Sequence, residues 1–330
     1  MPDLPAPDDP LRASLHGIRA LLLDLDGVLV LKGAAVPGAP DALASLERAG
    51  FPYLVVTNTS LLSRATLARW GRSVGFTTPP ERFQSALTAS AELVRREFGD
   101  RPVYVIASDD ARAEFGGLNV LDGGAVDASP ASVAAVVLGD SPDQLTRENL
   151  NRAFRLVLGG SVLIGMHRNP WWLTPEGPTL EAGAFLVGLE WATKRKARTV
   201  GKPDPAFFRA AIDRMASEAA ARGEPRLRRH DIAMVGDDVF SDIGGARRAG
   251  LRTVFVRTGK HGDAELSRAG SGSRGYRPDA VAPSIGEVVA ALVGEGAGPA
   301  STMPEAAHPP HHATPRNAAP ARRSKPSRRD

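Results

Sequence analysis

The sequence predicts an α/β fold in which helices cover both faces of a doubly wound parallel sheet. Apolar runs of strand length alternate along the chain with longer segments of helical periodicity, as in successive β-α units. The strand-length runs are apolar almost throughout, which is typical of parallel strands buried on both faces. A second set of such runs lies between members of the first, so we expect two sheets.

Each element is expected from its local pattern. The strands predicted for the first sheet are residues 20–23, 53–56, 232–235 and 253–256. The strands predicted for the second sheet are residues 103–106, 134–138 and 162–164, and a short strand follows at 198–200. Two helix starts are indicated by Asp204, which precedes a proline, and by Ser284, which precedes Glu287 by three residues.

The two ends of the chain differ from this pattern. Residues 1–17 are rich in proline and aspartate, and we expect them to be frayed. Residues 294–330 contain many prolines and alanines, three histidines and almost no large apolar residue, so we expect a disordered basic tail. The tail carries most of the net charge of +4, which leaves the rest of the chain nearly neutral and argues against a nucleic-acid partner.

Composition excludes several classes of protein. The 330 residues are 42% hydrophobic and 24% charged, and no apolar run approaches the ~18 residues of a membrane span. We therefore expect no membrane association. Without cysteine there is no disulfide framework or thiolate site, and the first residues lack the pattern of a signal peptide. We expect a cytoplasmic protein.

Polar residues follow three of the predicted strands of the first sheet. Asp24 and Asp26 follow the first strand, Thr57 and Asn58 the second, and Asp237 the third. Any one of these taken alone is equally typical of a helix cap or a turn. Ligands of open α/β sheets bind at the carboxyl ends of the strands, so the three together indicate a binding site.

The residue types point to a site that binds an anionic substrate together with a metal ion. Two carboxylates two residues apart, Asp24 and Asp26, suit a nucleophile beside a general acid, and Gly27 allows a tight turn next to an anion. Asp237 brought close to them would create strong repulsion unless a cation lay between, and oxygen ligands favour Mg²⁺. Lys202 is the best placed residue to hold an anionic substrate.

Four motifs in this order resemble those of the haloacid dehalogenase (HAD) superfamily phosphatases. They are Asp24-Leu25-Asp26-Gly27-Val28, Thr57-Asn58, Lys202 and Gly236-Asp237-x-x-x-x-Asp242. Thr59-Ser60, Ser63-Arg64, Gly201-Lys202-Pro203 and the long insertion before Lys202 are similar to the NagD-like branch, which includes the phospholysine phosphohistidine inorganic pyrophosphate phosphatases. The resemblance implies a HAD-like Rossmannoid core, residues 18–60 and 197–293, interrupted by an inserted α/β cap domain, residues 61–196.

The resemblance also implies catalytic roles. Asp24 would attack phosphorus and form an aspartyl-phosphate, while Asp26 would protonate the leaving oxygen and then activate water. Thr57 and Asn58 would bind phosphoryl oxygens. Lys202 would neutralise charge on the phosphate and the nucleophile.

The same resemblance implies a Mg²⁺ site. The ion would bind the carboxylate of Asp24, the backbone carbonyl of Asp26 and the carboxylate of Asp237. Asp242 would support the metal indirectly or through water.

The predicted cap should determine substrate selectivity. Arg168, Trp171 and Trp172 follow a predicted strand and are candidates for contacting the leaving group. The alternative is that the tryptophans only pack and that His167 caps the strand end. Glu181 lies where relatives are often richer in glycine, so substrate identity does not transfer from the resemblance.

The function expected from the sequence is Mg²⁺-dependent hydrolysis of a small phosphorylated metabolite. Asp26 argues against the dehalogenases of the superfamily, which generally lack it, and the absence of membrane spans argues against its ion pumps. The alternative is a catalytically silent regulatory or scaffold protein whose basic tail binds an anionic partner. By resemblance, we also expect a homodimer that forms through the cap.

Overall fold

The computed structural model describes residues 9–174, 177–271 and 276–294. The tail is predicted to be disordered over residues 294–330, of which residues 295–330 lie outside the described part, as do residues 1–8. Residues 10–14 form a short helix whose start is capped by Asp9, and Leu15 behind it is buried. This part of the head, expected to be frayed, therefore packs on the body of the protein.

The elements alternate as predicted. The strands are β1 (Ala20–Asp24), β2 (Val30–Leu31), β3 (Ala34–Ala35), β4 (Tyr53–Thr57), β5 (Phe83–Ser85), β6 (Val103–Ile106), β7 (Val120–Leu121), β8 (Ala135–Leu138), β9 (Val162–Gly165), β10 (Trp171–Thr174), β11 (Gly177–Leu180), β12 (Arg198–Thr199), β13 (Ile232–Gly236), β14 (Arg252–Val256) and β15 (Ala280–Ala282). The α-helices are α1 (Pro10–Ser14), α2 (Ala39–Arg48), α3 (Arg64–Ser73), α4 (Ala86–Phe98), α5 (Asp109–Arg112), α6 (Gly123–Ala128), α7 (Arg147–Leu158), α8 (Ala182–Thr193), α9 (Pro205–Ala221), α10 (Gly245–Arg248), α11 (Asp263–Ser271) and α12 (Ile285–Val293).

Six parallel strands form the first sheet, in the order β15-β14-β13-β1-β4-β5. β1 lies in the middle and all five of its residues are buried. Leu21 and Leu23 pack into the apolar cluster on one face, and Ala20 and Leu22 pack into the cluster on the other. A strand covered on both faces needs apolar residues at successive positions, which confirms the predicted α/β class.

A second parallel sheet is inserted between β5 and β13 in the chain. Its order is β12-β9-β8-β6-β7, and apolar clusters cover both of its faces. The hairpin β10–β11 follows β9 and leads into α8. Lys202 lies just after β12, where the chain returns to the first sheet.

The transition between the sheets lies later in the chain than residue 61, the predicted start of the cap. β5 pairs with β4 in the first sheet, and Leu67 and Trp70 of α3 pack into the core of that sheet. Residues of α4 pack instead against the second sheet. A three-residue edge strand such as β5 carries too short a pattern to be recognised in a sequence, and the division into domains remains a prediction.

The helix caps follow the predicted chemistry. Asp204 accepts a hydrogen bond from the backbone N–H of Ala206 (2.7 Å) at the start of α9. Ser284 accepts from the N–H of Gly286 (3.0 Å) at the start of α12, and its hydroxyl donates to Glu287. Among the described residues, no helix combines the length and apolar character needed to span a bilayer.

Candidate active site

The polar residues predicted at strand ends meet at one edge of the first sheet. Asp24 is the last residue of β1, Thr57 is the last residue of β4, and Asp237 directly follows β13. β1 pairs with both other strands, so their carboxyl ends lie side by side. Asp24, Thr57 and Asp237 are all buried, whereas the side chain of Asp26 is exposed.

Lys202 connects this edge with the end of the second sheet. Its ammonium group lies 2.6 Å from Oδ1 of Asp24 and 2.8 Å from Oδ1 of Asp242, and the residue is only 3% exposed. Burial works against the charged form, but the two carboxylates outweigh it and raise the pKa of Lys202. The lysine is therefore a fixed positive charge between two acids.

Asp242 reaches this position because the chain makes a π-helical turn over Val239–Gly244 after β13. Asp242 is fully buried, and its Oδ2 accepts a hydrogen bond from the backbone N–H of Asp238 (3.1 Å). Asp238 caps the turn through the N–H groups of Phe240 and Ser241 (2.8 and 2.9 Å). Because of this turn, the carboxylate of Asp242 lies beside Lys202 and close to the carboxylate of Asp237.

Three carboxylates with one ammonium group leave the cluster negatively charged. Asp24, Asp237 and Asp242 each offer an oxygen, and the three oxygens lie within 4.8 Å of one another. Burial, together with the charge of Asp242, raises the pKa of Asp24 well above its ordinary value and that of Asp237 to about 7. A divalent cation would remove this repulsion, and the all-oxygen donor set fits Mg²⁺.

Two glycines leave room for the Asp237 carboxyl group. A Cβ atom on Gly27 or on Gly259 would collide with it, and Gly27 also has a left-handed φ of +84°. The backbone N–H of Lys260 donates to Oδ2 of Asp237 (2.7 Å). The position of this carboxylate therefore depends on close approach of two turns, one after β1 and one after β14.

Replacing Gly259 with Ala is expected to displace Asp237 and to lower kcat/KM by about 10–100-fold, the range seen when groups around a metal are disturbed. The measurement is phosphate release, the activity that the resemblance implies, at increasing Mg²⁺ concentrations. If Asp237 binds Mg²⁺, the concentration that gives half-maximal activity should rise. Gly188→Ala is the matched control, because a Cβ there would lie more than 4 Å from every atom of the residues that the structure describes, its chain neighbours and own helix backbone aside. Normal turnover and Mg²⁺ dependence in Gly259→Ala would contradict the assignment of Asp237.

Thr57 and Asn58 take different positions in their loop. The hydroxyl of Thr57 accepts a hydrogen bond from the N–H of Thr59 (3.1 Å), which leaves its own proton available for an anion. The amide of Asn58 donates to the carbonyl of Lys202 (2.9 Å) and to Oδ1 of Asn169 (3.2 Å). The amide nitrogen of Asn58 is therefore engaged by protein acceptors.

The cap candidates lie in the loop after β9, which contains Arg168, and on β10, which contains both tryptophans. Arg168 forms a two-point ion pair with Glu190 of α8, with distances of 2.9 and 2.8 Å, so its charge is neutralised within the cap. Trp171 and Trp172 lie on β10 with exposures of 50% and 36%. His167 is buried and is hydrogen-bonded to Ser60.

Two charged residues near the site were not assigned a role from the sequence. Lys260 lies 2.6 Å from Oδ2 of Asp238, and although burial opposes ionisation, this ammonium lowers the pKa of Asp238 to about 2. Glu181 is buried, and burial with the charges of Asp140 and Asp26 raises its pKa to about 8. A signal for Lys260 was present in the sequence, because Thr258-Gly259-Lys260 also follows a strand of the first sheet.

Comparison with known proteins identifies the family. A family model described as haloacid dehalogenase-like hydrolase matches residues 21–120, and one described as HAD-hydrolase-like matches residues 199–288. Haloacid dehalogenase-like hydrolase domain-containing protein 2 from Bos taurus is 34% identical over 249 residues, which cover 76% of this chain and 88% of that protein. Human phospholysine phosphohistidine inorganic pyrophosphate phosphatase is 33% identical over 252 residues, covering 74% and 85%.

Solved structures agree with this assignment. A 4-nitrophenylphosphatase from Thermotoga maritima has a TM-score of 0.71 at 26% identity and covers 84% of this chain and 98% of its own. NagD from E. coli K-12 has a TM-score of 0.69 at 25% identity, with coverage of 82% and 98%. The chain therefore belongs to the haloacid dehalogenase-like hydrolases, and within them it is a phosphatase of the NagD-like branch.

Proposed function

We propose that this phosphatase uses Mg²⁺ to hydrolyse a small phosphorylated metabolite through an aspartyl-phosphate on Asp24. The observation that carries the proposal is the buried cluster in which Lys202 bridges Asp24 and Asp242 while Asp237 completes a set of three carboxylates. Such a cluster is costly to bury without a cation, so it is better explained by catalysis than by stability. This argues against the alternative of a silent scaffold protein.

In the proposed reaction, a carboxylate oxygen of Asp24 attacks phosphorus and the bond to the ester oxygen breaks. Asp26, whose side chain is exposed near the cluster, gives its proton to the leaving oxygen. Asp26 then takes a proton from a water molecule that attacks the aspartyl-phosphate at phosphorus. Inorganic phosphate leaves, and both carboxyl groups return to their starting states.

The remaining residues bind and orient the charged groups. Nζ of Lys202 lies 2.6 Å from Oδ1 of Asp24, and this contact fixes the orientation of the attacking carboxylate. The free hydroxyl proton of Thr57 can be donated to a phosphoryl oxygen. A Mg²⁺ ion held by the carboxylates of Asp24 and Asp237 and the backbone carbonyl of Asp26 would neutralise charge on the phosphoryl group. The carboxylate of Asp242 lies close enough to those of Asp24 and Asp237 to be a direct ligand as well, in place of the indirect role that the resemblance implies.

The proposal extends to the class of substrate, the location of the protein in the cell and the pairing of two copies. The human relative is named for phospholysine, phosphohistidine and inorganic pyrophosphate, and the Thermotoga maritima neighbour is named a 4-nitrophenylphosphatase, so small phosphorylated compounds are the class to test. We extend the proposal to a cytoplasmic location and to pairing of two copies through the cap. Trp191 and Val187, exposed by 75% and 46% on α8, support such pairing.

Removal of Mg²⁺ should abolish phosphate release from a panel of sugar phosphates, phosphoglycolate, nucleotides, pyrophosphate, phosphoramidates and 4-nitrophenyl phosphate. Added Mg²⁺ should restore it and raise the unfolding free energy by about 2.7 kcal/mol at a concentration 100 times Kd, because only the folded cluster binds the ion. Chelator-treated protein is compared with Mg²⁺-loaded protein: calorimetry measures the unfolding free energy, and the release assay measures activity. Full activity in chelator, or no turnover of any compound with Mg²⁺, would contradict the proposal.

A further inference from the structure

Two pairs of polar side chains join the phosphate-binding loop, residues 57–60, to residues 167–169 of the cap, which we call the cap loop. Nδ2 of Asn58 donates to Oδ1 of Asn169 over 3.2 Å. Oγ of Ser60 lies 3.0 Å from Nε2 of His167, and both residues are 1% exposed. A buried polar group that loses its hydrogen-bond partner destabilises the folded protein. These bonds therefore fix the two loops against each other.

The direction of the bond between His167 and Ser60 follows from its neighbours. The backbone N–H of Asn169 donates to Nδ1 of His167 (3.3 Å), so Nδ1 is the unprotonated nitrogen. Nε2 therefore carries the proton, and it donates to Oγ of Ser60 at 3.0 Å, which is nearer than Oε1 of Glu181 at 3.5 Å. Oγ of Ser60 also accepts from the N–H of Asp140 (2.8 Å). Burial lowers the pKa of His167 to about 4, so the neutral ring persists at neutral pH.

The Asn58 side chain acts as a brace in this arrangement. Its amide nitrogen serves two acceptors, the carbonyl of Lys202 and Oδ1 of Asn169. Its Oδ1 is buried and has no hydrogen-bond partner among the described residues, and a Cβ on Gly201 would come within 2.6 Å of it. The resemblance implies that Asn58 binds phosphoryl oxygens, but its amide nitrogen is bound to the backbone of Lys202 and to the cap loop.

We propose that His167 and Asn169 are positioning residues that hold the phosphate-binding loop in its binding shape through Ser60 and Asn58. This inference rests on the proposed function, since it concerns the same phosphoryl site. The cap loop fixes Asn58, Asn58 fixes the carbonyl of Lys202, and the Thr57 hydroxyl is left to face the anion. The cap thereby contributes to phosphate affinity without touching phosphate.

The test measures binding of inorganic phosphate to the Mg²⁺-loaded protein by calorimetry, and KM and kcat with 4-nitrophenyl phosphate. Asn169→Leu and His167→Leu should each raise the phosphate Kd and KM by about tenfold, the equivalent of one hydrogen bond of ~1.4 kcal/mol, with a smaller change in kcat. His167→Gln should keep the Kd near the wild-type value, because its amide can donate to Ser60. Asn169 is only partly buried, so its variant decides the matter if His167→Leu does not fold.

Glu218→Gln is the matched control, since it weakens the half-buried ion pairs of Glu218 with Arg82 and Arg214, and none of these residues belongs to the cap loop or to the phosphate-binding loop. It should lower Tm and leave the phosphate Kd unchanged. The inference is overturned if the leucine variants lower Tm in the same way with unchanged phosphate Kd, or if His167→Gln is as impaired as His167→Leu. A wild-type protein that binds phosphate but hydrolyses no ester would refute the proposed function, while the Kd values would still decide this inference.

Discussion

Asp24→Asn is expected to lower kcat/KM by at least about 10⁴-fold, because an amide oxygen cannot attack phosphorus to form the covalent intermediate. The amide keeps the shape of the side chain, and Lys202 keeps its contact with Asp242 at 2.8 Å. The loss should therefore appear in the chemical step and not in folding. Phosphate release under single-turnover conditions, together with Tm, measures the two separately.

Asp213→Asn is a suitable control for this variant, because it removes the same charge from an exposed position on α9. It should retain wild-type turnover. Asp24→Asn with more than about a hundredth of wild-type activity would contradict the role of Asp24 as the nucleophile, because a loss below ~10²-fold is smaller than the loss expected from removing a single general acid–base group.

Lys202→Met should have the largest combined effect on stability and activity. Removing the ammonium leaves buried carboxylates without their positive partner, and breaking a buried pair in this way costs about 3–5 kcal/mol. Activity should fall by about 10³-fold or more, because a charge that stabilises the transition state is lost. Urea unfolding in the presence of chelator measures the loss of stability, and phosphate release in the presence of Mg²⁺ measures the loss of activity.

Mg²⁺ should recover part of the lost stability of Lys202→Met, since the ion neutralises the same carboxylates. Lys196→Met serves as the control, because Lys196 is exposed in the segment just before β12. If Lys202→Met were as stable as Lys196→Met in chelator, the buried carboxylates would not be ionised and the charge account of the site would be wrong.

The architecture and the meeting of the acids at one edge could be predicted because both depend on local patterns. Five buried residues in β1 identify a central parallel strand, and parallel strands must deliver Asp24, Thr57 and Asp237 to the same edge. Lys202 could be proposed because an anionic substrate needs a positive partner and because this lysine lies between a short predicted strand and the helix start predicted at Asp204. These inferences need only the periodicity of the strands and the repulsion between like charges.

The contacts that refine the site depend on geometry that is set elsewhere in the chain. Asp242 binds Lys202 directly because of a π-helical turn, for which the sequence has no simple pattern. Asn58 is turned by Asn169, 111 positions away, and Lys260 is placed by the close packing of Gly259 on Asp237. Tertiary packing, which a local pattern does not contain, decides all three.

The central claim is a covalent phosphoryl group on Asp24, and acid-quenched mass spectrometry tests it most directly. Protein mixed with Mg²⁺ and 4-nitrophenyl phosphate is quenched within milliseconds, digested and examined for an acid-stable, hydroxylamine-labile phosphoryl group. Asp26→Asn should increase its amount, because the second step lacks its general base. We predict the group on the peptide containing Asp24 and none in Asp24→Asn. Turnover without a phosphorylated peptide in either wild type or Asp26→Asn, or a group on another residue, would contradict the mechanism.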